Sequence, residues 1–180
     1  MTMTRCIVPA LFIVLLLPLA ANADLIGDEI DAGIFREDNT RITGFGLDGP
    51  FVVEAGPGDM QQYSSVFTLD VEANSFNLDY IITSPASWVP GITFQIFDLD
   101  WVNMPNGIIT GLIIDTNVVG WDDSRATFDD HSATFLFGDL EIEETSFLNV
   151  EFVTEEVPEP SSAAILGACW IGAWLRRRRS

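Results

Sequence analysis

Through the middle of the chain, apolar residues recur at every second position. Phe67, Leu69 and Val71 share one face of an extended segment, Phe76, Leu78, Tyr80 and Ile82 a second, and Ile92, Phe94 and Ile96 a third. A period of two marks a strand with one face buried and the other wet. Between the first two runs, Val71-Glu72-Ala73-Asn74-Ser75-Phe76 supplies turn-forming residues and reads as a hairpin connection. Shorter apolar runs predict further strands at 25–35, 51–54, 108–114, 125–128, 133–137 and 148–152. No helical periodicity competes with them. About nine short strands at meander spacing, with Gly, Pro and Asn between them, predict an all-β fold. Its expected form is an antiparallel β-sandwich of jelly-roll or immunoglobulin-like type.

One run changes phase. Ile92, Phe94 and Ile96 alternate in one register, whereas Phe97, Leu99 and Trp101 alternate in the other. A β-bulge near Phe97 would reconcile them, and a strand buried on both faces would do so equally well. After the change, Asp98 and Asp100 are expected to share a face opposite Leu99 and Trp101.

The two ends break the alternation altogether. Met-Thr-Met-Thr-Arg5, an apolar run from Ile7 to Leu19 and Ala21-Asn22-Ala23 form the charged, apolar and small-residue parts of a secretory signal, with cleavage expected after Ala23. Pro18 breaks a helix just before the residues that signal peptidase must bind extended. No cysteine follows the run at the place a lipoprotein signal would need it, so lipid modification there is disfavoured. An uncleaved anchor is disfavoured too, because the run has 13 residues and a span needs about 20. The C-terminal run from Ala163 to Leu175 is equally short. However, Arg176, Arg177, Arg178 and Arg179 can snorkel to the headgroups, extend its reach and hold the tail on the cytoplasmic side. Gly167, Gly172, Trp170 and Trp174 suit a membrane helix, and no polar face marks it as a soluble amphipathic one. The expected division is a signal peptide at 1–23, one extracellular β-domain at 24–156 and a C-terminal sorting segment at 157–180.

Charge then narrows the partners of the middle. From Asp24 to Val157 there are 26 acids against Arg36, Arg41 and Arg125, a net charge of −23. Such a domain repels phosphate backbones and anionic lipid, which excludes nucleic acid as a partner. Cys6 and Cys169 fall in the two terminal runs, so the middle forms no disulfide.

Val157-Pro158-Glu159-Pro160-Ser161, an apolar helix and a basic cluster, in that order behind a signal peptide, resemble the PEP-CTERM sorting signal read by exosortases. The resemblance covers about the last 24 residues. It implies that Pro158, Glu159 and Pro160 are the recognition and processing motif. It also implies that the helix anchors the protein transiently in the inner membrane before the domain reaches the cell surface or the extracellular matrix. The partners it implies are signal peptidase and an exosortase. The middle also resembles a domain that recurs ahead of such tails, through Leu25-Ile26-Gly27-Asp28, Asp98-Leu99-Asp100-Trp101 with Pro105 to Gly111, and Phe128-Asp129-Asp130-His131-Ser132. That likeness implies an extracellular β-domain with no assigned activity.

Candidate chemistry within the middle is sparse. Asp98 and Asp100, Asp122 and Asp123, and Asp129 and Asp130 offer hard oxygen ligands suited to Ca²⁺, although the EF-hand glycine and glutamate are missing. No cofactor is required. His131 is the only histidine, which removes zinc and the Ser-His-Asp and Cys-His arrangements. A paired-carboxylate glycosidase stays open only because so many acids always offer some pair. Trp88, Trp101 and Trp121 could stack on sugar rings, against the commoner role of core tryptophan. A non-enzymatic matrix or envelope protein is therefore the leading expectation. A carbohydrate-binding module with or without calcium comes next, meeting extracellular polysaccharide, and a polysaccharide-active enzyme third.

Overall fold

The computed structural model describes residues 23–157. Twelve strands form among them: β1 (Glu29–Phe35), β2 (Phe51–Val52), β3 (Gln61–Tyr63), β4 (Phe67–Val71), β5 (Ser75–Tyr80), β6 (Ala86–Ser87), β7 (Thr93–Phe97), β8 (Gly107–Thr116), β9 (Ala126–Asp129), β10 (Ser132–Leu136), β11 (Glu141–Ile142) and β12 (Phe147–Glu156). They build two five-stranded sheets, β2-β1-β7-β10-β9 and β3-β4-β5-β12-β8, and a two-stranded ribbon of β6 and β11. Every pairing is antiparallel. The fold is an all-β sandwich, as the alternation requires.

The inward residues of both sheets interlock. Phe94 of β7 and Phe135 of β10 meet Phe76 of β5 edge-on at 5.6 Å and 5.4 Å between ring centres, and Phe94 meets Phe67 of β4 at 6.2 Å. All four rings are completely buried. Rings that bury this much apolar area supply the main drive for bringing the sheets together. The hairpin expected at Val71 to Phe76 forms, with those two residues paired and the Glu72 amide donating to the Ser75 carbonyl.

The phase change has a different cause from either expected one. β7 ends at Phe97, and Asp98 takes a φ of 60°, so the chain turns instead of bulging. An aspartate tolerates this left-handed conformation better than most residues. The turn returns Leu99 and Trp101 to the core while Phe97 stays on the outer face, against the grouping of Phe97 with them. Asp98 and Asp100 are both exposed, while Leu99 and Trp101 are buried.

Other boundaries moved for local reasons. β1 starts at Glu29, because the Asp28 amide bonds to the Leu25 carbonyl and Gly27 takes a φ of 92°. Leu25 is nonetheless fully buried, its amide held by the Ala73 carbonyl. Edge strand β3, with the sequence Gln-Gln-Tyr, carries too little alternation to stand out in the sequence. On the outer face, Gly33 leaves room for Arg41, whose guanidinium carbon lies 5.2 Å from the Phe35 ring centre and 5.6 Å from that of Phe97. Asp31 neutralises it, with Arg41 Nη2 donating to Oδ1 at 2.6 Å.

Candidate functional site

One end of the sandwich gathers most of the residues of interest. It is formed by the start of β1, the turn after β7 and the tight β9–β10 connection. Asp28 Oδ1 accepts from the Glu29 amide and Oδ2 from the Asp100 amide, both at 2.9 Å, which ties the first strand to the turn. His131 Nδ1 lies 3.1 Å from the Leu99 carbonyl and 3.2 Å from Asp100 Oδ1, while the Leu99 amide donates to the His131 carbonyl. These bonds hold the β9–β10 turn against the turn after β7. Partial burial raises the pKa of Asp28, and the charges of Asp100 and Asp98 add to that, although its two amide donors oppose it.

The three aspartate pairs do not form one site. Asp98, Asp129 and Asp130 line an open cavity of about 390 Å³ with Phe97, His131 and Ser132, and Asp100 stands beside it on His131. Asp122 and Asp123 lie before β9, at the opposite end of that strand from Asp129 and Asp130. Asp122 is occupied in capping a short 3-10 turn, its Oδ1 accepting from the Ser124 amide at 2.9 Å. Bonds from the Ser124 hydroxyl and amide hold its pKa below the usual carboxylate value. Asp123 borders a separate small cavity with Leu112, Ile114, Ala126 and Phe128. Among the described residues, no three histidine, cysteine or acidic side chains converge closely enough to grip a metal ion. Asp98, Asp129 and Asp130 are the oxygen donors that share a wall.

None of the three tryptophans presents a free platform. Trp101 is buried, packed edge-on to Phe152 at 6.3 Å. Trp88 is half-buried among Tyr63, Phe67 and Phe137, with Nε1 donating to the Tyr80 hydroxyl at 3.1 Å. Trp121 is half-buried against Phe135. Trp101 belongs to the core, while Trp88 and Trp121 pack against it and stay partly exposed.

The same end carries both ends of the described chain. The Val102 amide donates to the Asp24 carbonyl at 2.9 Å, and Asn103 Nδ2 reaches Asp24 Oδ2 at 3.4 Å. Four residues on, the Asn106 carbonyl accepts from the Val157 amide at 3.0 Å. The fully extended reach of four residues is about 14 Å, which bounds the separation of the two anchor points. A sequence reading has no signal for this, since it depends on the path between β7 and β8.

Of the expected processing residues, Ala23 is described and half-buried. Ala21, Pro158, Glu159, Pro160, Ala163, Leu175 and Arg176 to Arg179 lie outside the described residues. No described helix is long and apolar enough to cross a membrane. Comparison with family models, with curated proteins and with solved structures finds no match.

Proposed function

We propose that this chain is an exported cell-surface or extracellular-matrix protein, cut after Ala23 and sorted by an exosortase through Pro158, Glu159 and Pro160. The β-sandwich is the cargo and has no catalytic role. The observation that supports this reading is the seating of Asp24 and Val157 on the one loop from Val102 to Asn106. A domain with both ends at one pole can hang from a membrane by either end without twisting its sheets. β1 begins only at Glu29 and β12 stops at Glu156, so neither cut breaks a strand. The Pro-Glu-Pro sequence resists both helix and sheet ladder, which favours its capture by a processing enzyme. Four arginines on the cytoplasmic side leave the acidic sandwich outside, where its charge keeps it soluble.

The test is the mass of the form released from the cell surface. It should begin at Asp24 and lack residues 163–180. Replacing Pro158, Glu159 and Pro160 together by alanine should instead retain the protein in the membrane fraction. An intact C-terminal segment on the surface form would overturn exosortase handling and leave a single-pass protein.

A further inference from the structure

Both sheets end on one side of the sandwich, at β8 and at β9, and no ladder joins these two strands. β8 is the longest of the four edges, with 10 residues against 2 in β2, 3 in β3 and 4 in β9. The β3 edge is covered by its own loop: the Phe45 carbonyl accepts from the Ser64 amide, and Gly46 packs so closely on the Gln62 carbonyl that a Cβ there would clash. β8 also starts under cover, with the Ile109 amide donating to the Asp130 carbonyl at 2.9 Å. Beyond Gly111 it is open. The Phe152 amide donates to the Asn74 carbonyl on the β5 side of β12, so Glu151 and Val153 turn their backbone groups to β8 and meet Ile113 and Gly111. These groups alternate sides along a strand, so Leu112 and Ile114 point their N–H and C=O groups away from β12. Among the described residues no other strand pairs with that edge, and no turn or loop backbone bonds to it.

The side chains beside this opening are of two kinds. On the inward face, Leu112, Ile114, Ala126 and Phe128 line a cleft of about 180 Å³ between the two edges, together with Asp123. That is smaller than the roughly 300–1,000 Å³ of small-ligand sites and suits a single inserted side chain. On the outward face, Ile113 is exposed between acids: Asp115 follows it on the same face of β8, and Glu151 is its cross-strand neighbour on β12. Asp115, Asp123 and Glu151 are exposed, and none has an ion-pair partner within 4.0 Å among the described residues. Sheet edges commonly discourage an added strand with a basic residue or a proline, and Gly107–Thr116 contains neither. A strand laid along β8 has its own alternation imposed on it. Its inward side chains enter the apolar cleft, and its outward ones stand beside Ile113 and Asp115. Cross-strand pairing with Asp115, reinforced by Glu151 and by the net −23 of the domain, selects basic residues for the outward positions. A second copy of the chain would bring another −23 to the same place and is disfavoured.

We infer that the β8 edge binds an extended segment of a basic partner protein by strand addition, the segment alternating apolar residues with Lys or Arg. Leu112 and Ile114 supply the main-chain bonds, the cleft takes an apolar side chain, and Asp115 takes a cation. That the partner is met outside the cell rests on the export reading above; the binding itself does not. The test is fluorescence anisotropy of a labelled Lys-Val-Lys-Val-Lys-Val-Lys peptide titrated with the full chain in non-ionic detergent micelles. Saturable one-to-one binding is expected. It should weaken at least about tenfold when proline replaces the central valine, a change that keeps the charge and removes the pairing. Ile114→Pro, which deletes an outward N–H, and Asp115→Lys should each weaken it as much. Circular dichroism checks that both variants keep the strand signal, and if Ile114→Pro does not fold, Asp115→Lys and Phe128→Ala decide. No saturable binding would overturn the inference, as would equal binding of the proline peptide, which would mean attraction by charge alone. Binding that the folded variants leave unchanged would place the peptide elsewhere. Sedimentation showing a dimer of the free chain that the edge variants dissolve would give the edge to a second copy instead. Each of these results leaves the processing of the tail untouched, so the two proposals fail separately.

Discussion

Phe94→Ala lowers the melting temperature more than any surface change. The ring is completely buried at the centre of the sandwich, tilted 33° to Phe135 and stacked on Phe137 within 10° of parallel. It meets Phe67 and Phe76 of the facing sheet edge-on, at interplanar angles of 83° and 62°. Truncation removes contacts on both sides of the interface, and neighbours fixed in two sheets cannot collapse into the gap. Phe→Ala changes of this kind cost about 3–5 kcal/mol, a large share of the roughly 5–15 kcal/mol that separates folded from unfolded. The expected fall is on the order of 10–20 °C at this domain size. Phe128→Ala is the control: that ring is 42 % exposed, and its loss should fall within about 0.5 kcal/mol of zero. Thermal melts of the two variants decide the matter, and equal losses would contradict the sandwich core.

Acidification from pH 7 towards 4 raises stability instead of lowering it. Three carboxyl groups have raised pKa values in the fold, each chiefly because burial disfavours the charged form. For Asp59, Glu72 and Glu54 add repulsion, and Oδ1 is buried without a partner among the described residues. Asp70 is in the same position, facing Glu72, Asp59 and Asp79. The folded state holds these protons more tightly than the unfolded chain does. The resulting stability is therefore fully present below the unfolded value of 3.8 and is lost as pH rises through the raised folded values. Asp38, bonded by the Thr40 hydroxyl and amide, and Asp122 have lowered values, so their contribution disappears only below that point. Neutralising part of a net charge of −23 between Asp24 and Val157 acts in the same direction as the raised groups. Melting temperature should climb by on the order of 5 °C between pH 7 and 4.5. Asp59→Asn should stabilise the protein by about 1 kcal/mol at pH 7, by removing a buried charge with an unpaired oxygen. That advantage should shrink as pH falls through the raised pKa of the native carboxyl, which takes up its proton before an unfolded aspartate does. A melting temperature that stays flat or falls over this range would rule the account out.

The alternation of Phe67 to Val71, of Phe76 to Tyr80 and of Ile92 to Ile96 was sufficient to name these segments as strands and to say which side chains are inside. That inference needs only neighbours in sequence, because a strand's faces are set by its own period. Edge strands such as Gln61–Tyr63 escaped it, since a strand that pairs on one side only needs little apolar pattern. The turn at Asp98 escaped it as well. The sequence records that the register changes but not whether a bulge, a buried strand or one left-handed residue changes it.

The acidic end shows the same division. Six aspartates could be named as oxygen donors from composition and spacing, yet whether Asp122 and Asp129 are neighbours depends on the length and direction of β9. The fold separates them and joins Asp28 to Asp100 across 72 positions instead. Ile114 and Phe128 are alike in this: nothing in the local sequence links them, and the packing of one sheet on the other brings both to one cleft.

By itself, then, the sequence determined the all-β class, the inward residues of the long strands, the acidity of the middle and the expectation of processed ends. All of these follow from local period or from composition. The tertiary structure alone decided the placement of both chain ends on one loop, the burial of Trp101 and the meeting of two sheet edges at one cleft. Those depend on which strands lie side by side, and strand neighbours are chosen by burial of the whole core rather than by any short stretch of chain.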